Sequence, residues 1–595
     1  MADHLASRLA NMNPFSKSGS DEDEDVGGRI GADTIGGGGR HNRMADRAKD
    51  ELRVSHALRS FLVEEQVLSE EDAGLDKDEP GDALRRLLSR ASFTAPEALL
   101  DRSHPLPEYF ISSSHNTYLV AHQLYGTSSA SAYETALRTG SRCVEIDAWD
   151  NAEDEDEPKV THGYTLVSHV PFRDVCETIR DVFDEELSAA AGDSGYAVAP
   201  IMVSLENHCG EHGQLRLVDI MKEVFGDRLL SEAVRHAGHR EQEGTGGHVR
   251  LADLGPRITV IVEYRIPGEA DDSDFNSSDE SNPEEEAREA RKAYEESKKE
   301  GGPASTIIIP ELAELGVYAQ SVKPTDNSWY DPGQLINGPH HHLINVSESG
   351  LSKHLPACAV PISRHNAHHL MRVYPKGTRI GSSNLKPVAF WGVGAQLCAL
   401  NWQTFSTSNQ LNDALFNGSE GYVLKPAALR ADGDGNIGTG RKKRLRLHVA
   451  GATDIPLDED REAESIKPYL TCNLYSPCSI DGDTPKRKTA PFKHHRLAAL
   501  HHGENPPATD PVWSDGEPLE WVYEDNELVF LRMLIKGEDA AWVRNPMFAV
   551  AAVRLLYAVP GWSFIRMMDM KGRETKCTVL VCFEIEDAEE GSGAV

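Results

Sequence analysis

Tyr109-Phe-Ile-Ser-Ser-Ser-His115-Asn116, Cys143-Val-Glu145-Ile-Asp147 and Ile201-Met-Val-Ser-Leu-Glu206-Asn207 are three short apolar runs, each ending in groups that can bind a metal or move a proton. Trp149, Asp150 and His162-Gly163 follow the second run. The repetition predicts several strands delivering their last residues to one site. Working outward, apolar runs at Tyr109–Ile111, Cys143–Asp147, Pro200–Glu206 and Ile258–Glu263 alternate with helix-like segments at Ala130–Arg138, Phe172–Phe183 and Leu215–Phe225. Alternating βα units favour a parallel sheet or barrel. The alternation stops at an acidic stretch, Asp271 to Glu300, and resumes with Gly316–Val322, Leu370–Tyr374 and Gln396–Trp402. Two interrupted halves, 105–266 and 311–430 around a linker at 267–310, can together supply the strands of a (β/α)8 barrel.

A chain of 595 residues is too long for one core, and more than one domain is expected. Residues 1–44, rich in Gly, Asp, Glu and Ser, read as disordered. Over 45–104, Leu58, Phe61, Leu62, Leu84, Leu87 and Leu88 fall at helical spacing. The loop between them, Asp76-Lys77-Asp78-Glu79-Pro80-Gly81, is like a calcium loop in composition but has Pro80 and no terminal bidentate Glu. A degenerate EF-hand-like helical pair is expected. After Pro426 strand signals dominate, at Leu445–Val449, Tyr469–Tyr475, Leu528–Leu534, Phe548–Leu556 and Thr578–Ile585. They predict an antiparallel β-sandwich over 441–588, with a tail at 589–595. The fold class is thus multidomain α/β plus all-β: a TIM-like barrel split by an acidic linker, a C-terminal antiparallel β-sandwich and a short N-terminal helical segment.

The formal net charge of −34 argues against a nucleic-acid partner. Local basic runs, Arg441–Arg446 and Lys486-Arg487-Lys488, still permit contact with an anionic membrane. Nine scattered cysteines without Cys-x-x-Cys spacing point to buried thiols in a reducing compartment. The N-terminus lacks the apolar run of a signal peptide, and no apolar segment reaches the roughly 18 residues of a spanning helix. A cytoplasmic, monomeric protein with only peripheral membrane contact is expected. His340-His341-His342 is like a metal tract, but it sits in a Pro/Gly loop without acids and reads as inert.

Glu145 and Asp147 are two apart on one strand, so both point to the same face. Two acids on one face of a buried strand need compensation, and a hard cation is the usual answer. Glu206 and Asn116 could complete the cage; acids outnumber histidines and no thiolate belongs to the pattern, which disfavours zinc. His115 and His162 are then left for proton transfer and charge stabilisation, the work of a phosphodiesterase. The bland readings are a structural histidine and a solvated edge strand, and Glu153 to Glu157 fit the latter.

The ordered motifs of Ser112–Leu119, Val144–Asp147, His162–Leu166 and Ser204–Cys209 resemble the X half of eukaryotic phosphoinositide-specific phospholipase C. Arg364-His365-Asn366, Arg372–Pro375, Gly381–Asn384, Ala399–Thr404 and Gly421–Pro426 resemble its Y half, and the sandwich its C2-type domain. The resemblance implies one Ca²⁺ on Asn116, Glu145, Asp147 and Glu206. It implies Glu145 as general base toward the inositol 2-hydroxyl, His115 as transition-state stabiliser, and His162 as acid and then base. It also implies head-group contacts from Ser347, Arg372 and Tyr374, and a phosphoinositide lipid in a membrane surface as partner. One departure stands out: the family's ring-phosphate lysines fall on Ile261 and Glu263, unless the alignment shifts to bring in Arg257 or Arg265. A carboxylate facing a phosphorylated ring is repulsive, so preference for phosphatidylinositol or a singly phosphorylated form is expected. The third tip loop of the sandwich, Ile535–Trp542, is poor in acids; Asp458, Glu459 and Asp460 remain in the first loop and read as solvated in preference to a Ca²⁺ site. A glycerophosphodiester phosphodiesterase and a phosphoinositide-binding scaffold without turnover stay open as alternatives.

Overall fold

Eight segments form strands that lie parallel and close on themselves: β1 (Ser113–His115), β2 (Cys143–Trp149), β3 (Ile201–His208), β4 (Ile258–Glu263), β5 (Gln320–Val322), β6 (His342–Ser347), β7 (Leu370–Tyr374) and β8 (Leu397–Asn401). Each pairs with the next, and β8 pairs with β1 to shut the ring. The computed structural model describes residues 27–36, 52–76, 80–90, 96–120, 127–162, 168–191, 198–234, 247–264, 307–324, 326–331, 335, 338–377, 379, 382–457, 466–478, 485–495, 505–514, 516–538 and 545–588. The expected linker interior, the tip-loop residues Asp458–Asp460 and Asp539–Trp542, and Arg265 lie outside them.

Period-two alternation explains the barrel. Val144, Ile146, Ala148, Ile201, Val203, Leu205, Val260 and Val262 point outward and pack with Val175, Ile179, Leu217 and Met221 of the helices Phe172–Ala190 and Glu211–Phe225. Burying each such side chain contributes about 1.5–3 kcal/mol. The alternate residues face inward and change character along the axis. At the start of the strands Cys143, Met202, Leu343, Leu370 and Leu397 form an apolar plug, joined by Ile261 from further along β4. At the other end Glu145, Asp147, Glu206, Arg372 and Asn401 stand where the ring opens. That gradient puts the chemistry at the C-terminal mouth, as barrels of this type require.

Three elements differ from the sequence-based expectation. Tyr109–Ile111 is a strand, but it pairs antiparallel with Tyr422–Leu424 outside the ring, and the barrel starts at Ser113. Of the histidine tract, His340 and His341 lie in a turn as expected, but His342 opens β6, paired with Gln320 of β5. The linker ends before 310, because Ile309 is buried and its amide donates to Gln214 Oε1 at 3.0 Å.

The C-terminal strands are β9 (Lys442–Thr453), β10 (Pro468–Tyr475), β11 (Lys486–Lys488), β12 (Leu519–Glu524), β13 (Phe530–Gly537), β14 (Met547–Arg554), β15 (Gly561–Met568) and β16 (Glu574–Asp587). All pairs are antiparallel, in the order β11-β10-β13-β14-β15-β16-β9-β12. Only Val550 and Met568 join β14 to β15, so the sheet divides there into two leaves around a core that includes Leu447, Leu470, Trp521, Met533, Ala551 and Val579. β13 is buried on both faces: Leu531, Met533 and Ile535 enter that core, while Phe530 and Leu534 join the barrel-side core. Trp391 meets Phe530 with ring centroids 5.7 Å apart, and Arg532 Nε donates to Gln410 Oε1 at 2.6 Å. The helices His56–Glu64 and Asp82–Ser89 pack on the sandwich through Leu58, Leu62 and Leu84 against Ala450, Phe564 and Leu580, and the short helix Glu70–Ala73 lies between them in sequence.

The disorder expected across 1–44 does not hold over 27–36. Phe405 N donates to Gly28 O at 2.9 Å, Ile30 N to Gln403 O at 3.0 Å, and Thr34 Oγ1 to Lys571 O at 3.1 Å. This strap therefore touches both barrel and sandwich. A Cβ on Gly27 would sit 2.1 Å from Phe405 O, so the glycine allows the close approach that a composition-based reading took for flexibility.

Candidate active site at the barrel mouth

Glu145 and Asp147 extend from β2 and Glu206 from β3, and the register sets Asp147 beside Glu206. One ligand atom of each lies within 4.8 Å of the others. Arg372 of β7 is ion-paired with Glu145 Oε1 and stands 3.9 Å from Glu206 Oε1. With the three acids ionised, one guanidinium leaves two negative charges uncompensated. Burial and the Glu206 charge push the Asp147 carboxyl well up, and burial and Glu145 push Glu206 up. Burial works against the Arg372 charge, but Glu145 and Glu206 outweigh it and hold Arg372 more basic than usual.

The remaining polar atoms tighten this cluster. The Asn116 amide donates to Glu145 Oε2 at 2.6 Å, and the Tyr118 hydroxyl donates to Asp147 Oδ2 at 2.6 Å while lying 3.2 Å from Asn116 Oδ1. Asn116 takes φ of 44°, a left-handed conformation that Asn tolerates better than most residues. Asp147 Oδ1 is buried and accepts no hydrogen bond from the described residues. A buried carboxylate oxygen without a donor is costly, and with an all-oxygen donor set and two excess charges it fits a hard divalent cation.

His115, at the end of β1, is oriented from β8. Its Nδ1 meets Asn401 Oδ1 at 2.9 Å, and Asn401 Nδ2 donates to Ser383 O at 2.7 Å. The amide's donor is thereby used, its oxygen accepts, and the His115 proton belongs on Nδ1. Nε2 is left to meet a substrate. Burial and Arg372 lower the His115 pKa to about 4, and the His162 charge contributes in the same direction, which places His162 near it. Tyr374 stacks on His115 at 6.4 Å with planes 7° apart. Arg372 lies 5.6 Å from the Tyr374 ring centre and donates through Nη1 to Asn345 Oδ1 at 3.1 Å.

All the expected site residues thus come from strand ends or the segments just after them. Two are engaged differently from expectation. Arg372 is held among the acids, and Ser347 Oγ caps the helix Glu348–Ser352 by accepting from Gly350 N at 3.1 Å. Ile261 is buried in the apolar plug, while Glu263 is half-buried two residues closer to the mouth. Arg257 cannot replace the missing lysines, because it precedes β4 at the closed end and donates to Asp227 O at 2.5 Å. Sequence reasoning gave no role to Tyr118, Asn401 or Lys323, whose charge acts on Glu206. Lys323 directly follows β5, a position that a strand-end rule would have flagged.

A closed parallel barrel with acids and histidines at its mouth has the groups for metal-assisted acid–base chemistry. The comparisons narrow the class. Residues 102–263 match the model of the phosphatidylinositol-specific phospholipase C X domain, and residues 312–428 that of its Y domain. The 1-phosphatidylinositol 4,5-bisphosphate phosphodiesterase of Dictyostelium discoideum is 30% identical over 512 residues, 81% of this chain and 59% of that protein. The delta-1 form of Homo sapiens is 29% identical, over 82% of this chain and 61% of its own, and the delta-3 form of Mus musculus 31%, over 82% and 58%. The chain thus spans about three fifths of these relatives. The crystal structure of L. pealei PLC21 shares the fold over 90% of this chain and 63% of its own, with a TM-score of 0.65 and 23% identity. The chain belongs to the phosphatidylinositol-specific phospholipase C family.

Proposed function

We propose that this chain is a calcium-dependent phosphoinositide phospholipase C, acting at a membrane surface to give diacylglycerol and an inositol phosphate. The observation that carries the reading is the buried acid cluster with its donorless Asp147 Oδ1, facing a His115 held in one tautomer. Asn116, Glu145, Asp147 and Glu206 would hold Ca²⁺, which supplies charge neutralisation and lowers the pKa of a nearby hydroxyl. Glu145 takes the proton of the inositol 2-hydroxyl as its oxygen bonds to phosphorus. His115 Nε2 stabilises the charge that develops on the phosphoryl oxygens. His162 gives a proton to the departing glycerol oxygen as the phosphorus–oxygen bond breaks, leaving a cyclic phosphate. It then takes a proton from the water that opens the ring.

Ser347, Arg372 and Tyr374 face the head group, with Lys323 as a further cation. Ile261 and Glu263 make the pocket less welcoming to ring phosphates, so phosphatidylinositol and its singly phosphorylated forms are the preferred substrates. The sandwich is of the C2 type, and the protein works as a monomer that meets the membrane from the cytoplasm. Matches to both the X and the Y models favour this reading over a glycerophosphodiester phosphodiesterase. The test is phosphatidylinositol turnover in mixed micelles, with Ca²⁺ and with chelator, beside His115→Ala. Turnover with Ca²⁺ that is lost with chelator and in His115→Ala is expected; activity indifferent to chelator would remove the metal assignment, and an active His115→Ala would remove the role of the histidine.

A further inference from the structure

The two basic runs of the sandwich meet different fates. In β9, Arg444 and Arg446 each lie 3.3 Å from Glu520 of β12, and Arg446 lies 3.4 Å from Glu586 of β16. Arg441 and Lys443 stand 3.1 and 3.6 Å from Asp525. Acids on the neighbouring strands thus largely cancel this run. β11 is an edge strand on which Lys486, Arg487 and Lys488 are all exposed. No Asp or Glu occurs between Asp483 and Glu504, while Lys493 adds a further exposed cation. Among the described residues no carboxylate lies within ion-pair distance of Arg487, Lys488 or Lys493. Arg487 donates to the carbonyls of Glu520 at 3.1 Å and Lys486 at 3.0 Å, and Lys488 lies 5.8 Å from the Tyr469 ring centre. Carbonyls and a ring face hold these groups without cancelling their charge.

The basic strip also rises toward the end of the molecule that carries the mouth. The helix Pro387–Trp391 leads from β7 down to the start of β8, so Trp391 marks the closed end. The helix Thr407–Phe416 begins just after the mouth end of β8, so Gln410 in its first turn marks the mouth side. β13 meets Trp391 through Phe530 and Gln410 through Arg532, and therefore ascends toward the mouth. It ends at Gly537, about 17 Å beyond Arg532, where β10 brings Pro468 alongside. From β11 the chain follows β10 to that same end. Lys488 pairs with Thr471, Thr489 N donates to Leu470 O at 2.9 Å, and Phe492 N donates to Pro468 O at 2.8 Å, which sets Lys493 at the tip. There Lys467 and Glu538 lie 3.4 Å apart and cancel, so the strip decides the sign of the charge. We propose that Lys486, Arg487, Lys488 and Lys493 form the surface by which the sandwich docks on an anionic lipid bilayer. The proposal rests on the reading of the mouth as a membrane-surface site, and it names the face that makes contact. The chain's net charge of −34 does not prevent this, since salt screens charges beyond about 8 Å and only the nearest groups feel the bilayer.

Full-length protein, with chelator present so that no cation bridges acids to lipid, would be sedimented with sucrose-loaded vesicles. One set is phosphatidylcholine alone, the other equal parts phosphatidylcholine and phosphatidylserine. Neither lipid carries inositol, so the readout does not depend on turnover and stands even if the catalytic assignment fails. Binding to the mixed vesicles alone is expected, weakening as salt is raised. Lys488→Glu combined with Lys493→Glu should weaken it about tenfold or more, whereas Arg444→Gln, in the cancelled run, should leave it unchanged. Melting curves establish that the variants are folded, and the comparison of the two vesicles needs no variant. Equal binding to both vesicles, or a folded charge-reversed protein that binds as the wild type does, would overturn the proposal. So would binding to neither, which would leave the strip to an acidic protein partner.

Discussion

Asn401 selects which nitrogen of His115 faces the mouth, and it does so because Ser383 O holds its amide in place. Asn401→Leu leaves a buried Nδ1–H without an acceptor, a cost of about 1–3 kcal/mol. The expected result is a roughly 10- to 100-fold lower kcat with KM little changed, read in steady-state assays beside a melting curve. At Glu263 the argument concerns charge. Glu263→Lys replaces repulsion by attraction at the ring, and turnover of the bisphosphorylated lipid should rise about tenfold or more relative to phosphatidylinositol. An unchanged ratio in a parallel assay of the two lipids would show that Glu263 does not face the ring. Glu145, Asp147, Glu206, His115 and His162 were legible because strand ends deliver functional groups. Tyr118 and Asn401 were not, since their role is to hold other side chains and only the closed ring brings β8 beside β1.

At the scale of elements, Leu370–Tyr374 was read with its bounds intact because an apolar run flanked by turns has few alternatives. The strand His342–Ser347 was missed because its first residue belongs to a polar tract, and polarity there reflects a buried imidazole cluster, not solvent. The strap at 27–36 was missed for the opposite reason. Its glycines signal close packing where composition suggests freedom, and Ile30 is its only large apolar anchor, 7% exposed. Gly27→Val should lift the strap and release Ile30. A loss of about 1.5–3 kcal/mol is expected, measured as a lower denaturant midpoint with an unchanged far-ultraviolet spectrum.

For the molecule as a whole, protons and cations move stability in predictable directions. His342 and His365 titrate near 4 and 3 when folded and near 6.5 when unfolded, so the unfolded chain binds more protons in between. The contribution of these two histidines is full above about pH 6.5 and falls as the pH drops toward 4, by roughly 1.4 kcal/mol per unit for each, with the raised Asp147 and Glu206 carboxyls acting in the opposite direction. Melting temperatures across that range should decline accordingly. Calcium should act oppositely at neutral pH, since it favours the ionised forms of Asp147 and Glu206, which burial and the neighbouring acids otherwise oppose. At a hundredfold excess over Kd the gain is about 2.7 kcal/mol, and Glu206→Gln should reduce the calcium-induced rise in melting temperature. The two faces of β13 add one more consequence. Because Phe530 and Leu534 belong to the barrel side and Leu531 and Met533 to the sandwich, neither unit can swivel without tearing a core apart. The sandwich is therefore a fixed stand: in the membrane-bound state proposed above, it dictates the tilt at which the mouth meets the surface.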